Sequence, residues 1–324
     1  MRAIMSVEGV PVIDISDPES RETVEAIGAA CRDWGFFQAV GHGVDPRLIA
    51  NVQRQMRAFF AQELEVKQAI VRSAENPWGF YDRELTRHTP DWKQIYDVGP
   101  ASGDAIRPQW PALLPEFRPA IEKFYDASHA VSMQILTAIS LSLGMPSGAL
   151  DEYFSPEHTC FLRLNYYPRC PTPERPVDAS VAKVGHLGVN QHTDAGAVTV
   201  LLQDQPGLEV FHEGEWKLVE PRRDALVINI GDIVQVWSND LYRAALHRAL
   251  VRPDVERFTS AFFLNPPYSA DYAPLPSVID AGHPARYRAI NWGEFRSRRT
   301  AGDYANAGEY AQISQYYFSR QGGR

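Results

Sequence analysis

From Cys160 to Leu264 the apolar pattern repeats every second residue, and this limits the fold more than any other feature of the chain. Arg163-Leu164-Asn165-Tyr166-Tyr167, Ala197-Val198-Thr199-Val200-Leu201-Leu202, Leu208-Glu209-Val210-Phe211 and Ala225-Leu226-Val227-Ile228-Asn229-Ile230 read as short strands, as do Ala249-Leu250-Val251 and Thr259 to Leu264. Gln205-Pro206-Gly207, Glu213-Gly214 and Gly231-Asp232 supply turns between them. Several short strands with regular turns fit a double-sheet jelly roll.

Upstream the period is helical. Val24, Ile27, Cys31 and Trp34 follow one such stripe, and Leu48, Ile49, Val52, Met56 and Phe59 follow another, opened by Asp45-Pro46. A long helix is expected over Pro115 to Leu143, with Ser128 small enough to sit against a neighbour, and a shorter one over Gly148 to Phe154. Pro11 to Ile15 and Phe36 to Val40 read as strands. Ala74 to Trp110 reads as an irregular, aromatic-bearing segment, and such a long one inside a compact protein is usually functional. A helical tail is expected over Asp303 to Tyr317. The expectation is a mainly β protein with flanking helices around a jelly-roll (double-stranded β-helix) core. It comprises one domain over 1–324: an N-terminal region over 1–155, a catalytic core over 156–268 and a C-terminal tail over 269–324.

Hydrophobic residues make up 44% of the chain, enough for a sizeable core. A net charge of −8 without a lysine/arginine run argues against a nucleic-acid partner. No apolar run approaches a membrane span, and Met1 to Gly9 has no signal-peptide pattern. Cys31, Cys160 and Cys170 fit no zinc spacing and read as free thiols in a reducing compartment. The expected setting is cytoplasmic, with the oligomeric state open.

The chemistry centres on His192-Thr193-Asp194. A histidine and a carboxylate two apart on an extended segment face one side. Alone, His-x-Asp also describes a hydrogen-bonded pair on a sheet. Its weight comes from order: turns and strands follow, then His247 on a strand and Arg257 on the next. Two histidines and a carboxylate form a facial triad that leaves half of an octahedral metal's positions open, the donor set of non-haem Fe(II) sites. Arg257 is placed to hold the far carboxylate of a keto acid. The other histidines read as structural or surface residues, His42 in its Gly-His-Gly turn being the least clear.

With these residues in place the chain resembles the 2-oxoglutarate/Fe(II)-dependent dioxygenase superfamily, in its isopenicillin N synthase-like branch. The N-terminal matches are Val12-Ile13-Asp14, Cys31-Arg32-Asp33-Trp34-Gly35-Phe36-Phe37 and His42-Gly43-Val44. In the core they are Asn165-Tyr166-Tyr167-Pro168, His192-Thr193-Asp194, Asp204-Gln205-Pro206-Gly207-Leu208, Asn229-Ile230-Gly231-Asp232, His247-Arg248 and Arg257-Phe258-Thr259. The resemblance implies Fe(II) on His192, Asp194 and His247, with 2-oxoglutarate and O2 as co-substrates. It implies that Arg257 and Thr259 bind the C5 carboxylate, with Asn165 and Tyr167 as further co-substrate contacts. Thr259 stands where the branch usually has serine, so the hydroxyl is kept and a methyl is added.

Strand parity adds pocket candidates. Arg163 shares the face of Asn165 and Tyr167, Asn190 that of His192, and Phe263 that of Arg257. An arginine facing a barrel interior needs a partner. For Arg163 two readings stand: an acidic group on the substrate, or an internal salt bridge. Phe263 reads equally as core or as a substrate platform. Tyr81, Phe80 and Lys93, in the irregular segment, are further candidates for substrate contact.

The implied reaction oxidises a small, acidic molecule by hydroxylation, desaturation or cyclisation, with release of succinate and CO2. Two alternatives are an Fe(II) oxidase of the isopenicillin N synthase type that dispenses with 2-oxoglutarate, and a metal-binding jelly roll without catalysis.

Overall fold

The computed structural model describes residues 9–103, 105–173, 186–304 and 311–318. Its centre is a pair of sheets. The larger has eight strands, in the order Val12–Asp14, Phe36–Val40, Leu226–Ile230, Val198–Gln203, Arg257–Leu264, Phe161–Tyr167, Gln94–Val98 and Gly79–Tyr81. Only the first pair is parallel. The smaller is antiparallel, in the order Glu215–Leu218, Leu208–His212, His247–Ala249 and Val189–His192. The two form the jelly roll that the period-two pattern predicts. The N-terminal region supplies four strands of the larger sheet, so it shares hydrogen bonds with the core rather than resting beside it.

Local chemistry sets the helices. Ser20 caps Arg21–Asp33 by accepting from Thr23 N at 3.2 Å, and Asp45 caps Pro46–Phe60 by accepting from Arg47 N at 2.8 Å. Helix Phe117–Ser142 packs on both of these and on strands Val198–Gln203 and Arg257–Leu264. It buries Phe117, Ile121, Phe124, Val131 and Ile135, each worth about 1.5–3 kcal/mol of apolar transfer. Ser128 is buried on that face, as its size predicts.

Several expected boundaries move. Ala74 to Trp110 contains the strands Gly79–Tyr81 and Gln94–Val98, which continue the larger sheet. They are short, and their polar residues answer to partners in the sheet rather than to a local period. The helix expected over Gly148 to Phe154 is one 3-10 turn, Asp151–Phe154. The tail helix starts earlier than expected and runs over Trp292–Tyr304. Part of the expected tail helix, 305–310, lies outside the described residues. Among the described residues, no helix is long and apolar enough to cross a membrane.

Candidate active site

Register places the side chains. In the larger sheet Arg257 pairs with Tyr167, Thr259 with Asn165, Ala261 with Arg163 and Phe263 with Phe161. On its other side the Arg257 strand sets Thr259 beside Gln203, Ala261 beside Leu201 and Phe263 beside Thr199. These residues form a grid on one face of the sheet and, Gln203 apart, line a cavity of about 1050 Å³. His192, Asp194 and His247 line it from the smaller sheet and the loop after it.

His192 and His247 are cross-strand partners, with ring centroids 4.3 Å apart. Their Nε2 atoms lie 3.5 Å and 3.6 Å from Asp194 Oδ1, and one potential ligand atom from each of the three residues falls within 4.8 Å of the others. Each Nδ1 is within hydrogen-bond distance of a backbone carbonyl: His192 to Asn190 O at 2.8 Å, His247 to Ala245 O at 3.0 Å. A carbonyl only accepts, so Nδ1 carries the proton and Nε2 offers its lone pair to the centre.

The carboxylate is oriented just as firmly. Asp194 Oδ2 accepts from Thr199 Oγ1 at 2.5 Å and from Asn229 Nδ2 at 2.7 Å, which leaves Oδ1 facing the histidines. Burial works against charge on Asp194, but His247, His192 and the Thr199 hydroxyl outweigh it and hold the carboxyl well below its usual range. Burial, reinforced by His192, pushes His247 down to about 4, so its imidazole is neutral and free to ligate at neutral pH. Two imidazoles with Nε2 turned to the centre and one oriented carboxylate oxygen, on one side of an open cavity, fit a divalent ion with free positions.

Arg257 is buried, which lowers its pKa. Nε donates to Gln205 O and Nη2 to Gln203 Oε1, each at 3.1 Å, and the guanidinium lies 5.0 Å from the Tyr167 ring centroid. Nη1 is buried with no acceptor among the described residues. A buried charged donor without a partner is costly, and a carboxylate entering the cavity would satisfy it. Beside it Asn165 Nδ2 donates to Thr259 Oγ1 at 3.2 Å, which leaves the threonine proton available for the same carboxylate.

The other candidates separate. Phe263 lines the cavity, stacked on Phe161 with centroids 4.6 Å apart. Arg163 also lines it, but its fork is held: Nε and Nη2 donate to Asp97 Oδ1 and Oδ2 at 2.8 Å, and Nη1 to Glu84 Oε2 at 3.0 Å. Arg72 joins the same two carboxylates. Of the two readings of Arg163, the internal salt bridge is the one the structure shows.

Asn190 does not line the cavity; Val189 does. The pairing runs His192 with His247 but Val189 with Ala249, three residues against two, and a bulge of one residue inverts the parity. Tyr81 is also absent from the lining and lies under Arg72, at 4.0 Å. Phe80 belongs to the core, fully buried. Lys93 does line the cavity: it is buried, pairs with Asp91 at 3.1 Å, and keeps further N–H groups for an acceptor. His42 is structural, its Nδ1 accepting from Val44 N at 3.1 Å.

Sequence reasoning gave no role to Thr199, Gln203 or Arg299. Thr199 and Gln203 carried a signal, since they are polar residues on the inward face of an otherwise apolar strand.

Comparison with known proteins agrees with this geometry. The family model described as the 2OG-Fe(II) oxygenase superfamily matches residues 158–266. That described as the non-haem dioxygenase in morphine synthesis N-terminal matches 10–119. Flavanone 3-dioxygenase 2 of Oryza sativa subsp. japonica is 35% identical over 299 residues, covering 90% of this chain and 84% of the rice protein. Jasmonate-induced oxygenase 4 of Arabidopsis thaliana is 31% identical over 296 residues, covering 89% of this chain and 81% of its own. The crystal structure of JOX2 in complex with 2OG, Fe and JA matches with a TM-score of 0.77 at 30% identity, over 89% of this chain and 84% of that one. The chain belongs to the 2OG-Fe(II) oxygenase superfamily, and is an oxidoreductase that uses Fe(II), 2-oxoglutarate and O2 to oxidise a small molecule.

Proposed function

We propose that His192, Asp194 and His247 hold the iron, that Arg257 and Thr259 take the far carboxylate of 2-oxoglutarate with Asn165 and Tyr167 alongside, and that the primary substrate is a ring-bearing molecule with an acceptor oxygen. The observation that carries the co-substrate assignment is the buried Nη1 of Arg257, which has no acceptor among the described residues. O2 is the oxidant: iron held here would activate it, and 2-oxoglutarate would give up two electrons as it is oxidised to succinate and CO2. The protein's share is to fix the two groups, keep the substrate close and limit water.

The cavity wall supports the substrate class. Trp78, Phe161 and Phe263 form an aromatic row, with centroid separations of 6.3 Å and 4.6 Å, and the exposed Tyr268 also lines the cavity. Such a row suits a flat or puckered ring. The expectation of an acidic substrate rested on Arg163, whose charge Asp97 and Glu84 already meet. In its place Lys93 offers N–H groups that a carbonyl or carboxylate oxygen would accept. The rice relative's name points to flavanones, which are ring ketones, and JOX2 is seen with JA. Hydroxylation is the default outcome for a carbon held near the iron.

The reading extends to one domain working without nucleic acid in a reducing, cytoplasmic setting, supported by the net charge and by three free, buried cysteines.

The test is 2-oxoglutarate turnover, read as succinate, with flavanone and with flavan, the same skeleton lacking the carbonyl. Flavanone is expected to raise turnover at least fivefold, and Lys93→Met to raise its KM about tenfold, the loss of one charge-assisted hydrogen bond. Equal stimulation by flavan, or no response to either, would refute the substrate class.

A further inference from the structure

The loop that carries Asp194 is clamped from two sides, and one clamp comes from far away in the sequence. Asp232 N donates to Asp194 O at 2.8 Å and Gly231 N to Ala197 O at 2.8 Å, so the turn after strand Leu226–Ile230 grips the loop's backbone. A Cβ on Gly231 would lie 2.1 Å from Gly196 O and 2.8 Å from Asp194 O, so only glycine permits this approach.

The second clamp is Arg299, on the tail helix Trp292–Tyr304. Its side chain is 3% exposed. Nη2 donates to Thr193 O at 2.7 Å and to Thr193 Oγ1 at 2.9 Å. Nη1 donates to Asp232 Oδ2 at 2.8 Å and to Ala311 O at 3.1 Å. Thr193 lies between His192 and Asp194. One guanidinium therefore joins the residue between two candidate ligands, the carboxylate that opens the short helix Asp232–Trp237, and the segment beyond the tail helix. Arginine suits this because its planar fork presents several donors in fixed directions, which a lysine cannot.

The pair is also electrostatically closed. Burial raises the pKa of Asp232, and the charge of Arg299 is the strongest influence opposing it. Without Arg299 a fully buried carboxylate would lose its cation. A tail held through Arg299 cannot move without releasing the loop that aims Asp194.

We propose that Arg299 is a positioning residue for the metal centre, and that through it iron binding and docking of the C-terminal helix are coupled. This rests on His192, Asp194 and His247 as the ligands. Partners that orient metal ligands typically contribute 10–100-fold to metal affinity. Coupling is reciprocal, so iron must tighten the helix by the same factor with which the docked helix tightens iron.

The experiment titrates Fe(II) into the anaerobic full-length protein and follows amide exchange over 292–304 in parallel. Arg299→Lys keeps the charge opposite Asp232 and loses the fork to Thr193. It should fold, bind Fe(II) at least tenfold more weakly, and lose most of the slowing of exchange that iron produces over 292–304 in the wild type. If Arg299→Lys does not fold, Arg299→Met combined with Asp232→Asn removes both charges and leaves neither buried alone, and the same two losses are expected. Wild-type Fe(II) affinity in a folded variant, or exchange over 292–304 that ignores iron in the wild type, would overturn the proposal. His247→Ala separates the two levels: it should abolish Fe(II) binding. If it does not, the ligand assignment fails first; if it does while Arg299→Lys binds normally, only the coupling fails.

Discussion

Replacing Arg257 with methionine isolates the co-substrate's far carboxylate, because two of the guanidinium's three nitrogens already donate to the protein before any ligand arrives. Nε is on Gln205 O and Nη2 on Gln203 Oε1, so Nη1 is the part left for an incoming carboxylate. Two hydrogens on Nη1, each in a charge-assisted bond at the lower end of the usual range, about 1.5–2 kcal/mol, give about 3–4 kcal/mol. At 1.4 kcal/mol per decade, that is roughly a 10²–10³-fold loss of 2-oxoglutarate affinity. Methionine fills the volume but leaves two acceptors without this donor, at about 1 kcal/mol each in stability, so the variant should still fold.

The assay is anaerobic 2-oxoglutarate titration of the Fe(II) protein, repeated with 2-oxopentanoate, which has a methyl group in place of the far carboxylate. The wild type should prefer 2-oxoglutarate by the same 10²–10³-fold, and the preference should collapse in Arg257→Met while Fe(II) affinity stays unchanged. A preference that survives the substitution would refute the assignment, as would a loss of affinity shared equally by both keto acids.

Two further outcomes follow from the geometry. Asn229→Ala removes one of the two donors on Asp194 Oδ2 and should weaken Fe(II) binding about tenfold in anaerobic calorimetry; unchanged affinity would mean that Thr199 alone aims the carboxylate. Burial pushes Cys31 and Cys160 from 9.0 up to about 12. Neither should react with a thiol reagent in the native protein at pH 8. Between pH 9 and 12 the unfolded chain gives up protons that the folded chain keeps, so stability is full below that window and falls as pH rises through it. Denaturant melts at pH 8 and 10 would show a lower midpoint at pH 10; a higher one would contradict the sign.

What was legible in the sequence had a local cause. Period two reveals the inward faces of the Tyr167 and Arg257 strands: Phe263 follows from parity, the resemblance points to Asn165 and Thr259, and all three line the cavity on the face that parity gives them. The same rule failed at Asn190, because a one-residue bulge between Val189 and His192 is invisible in a four-residue strand. Arg163 was placed on the right face, but its partners were not readable. Asp97 and Glu84 lie in a segment with no period of its own, and cross-strand pairing alone brings Asp97 opposite Arg163. Tyr81 was misplaced for the same reason: strand Gly79–Tyr81 sits at the sheet's edge, and Tyr81 stacks under Arg72 outside the cavity. Arg299 left no signal at all. It meets Thr193 across 106 positions, and a tail arginine without an ion-pair pattern reads as a solvated surface residue.

The most direct test of the central claim is the visible charge-transfer band of a keto acid chelating Fe(II), recorded after adding Fe(II) and 2-oxoglutarate without oxygen. The wild type should show the band at one equivalent of iron. His247→Ala should show none, and Arg257→Met should need about 10²–10³-fold more 2-oxoglutarate to reach it. A wild type that binds iron and 2-oxoglutarate but gives no band would contradict the account, as would a band that survives intact in His247→Ala.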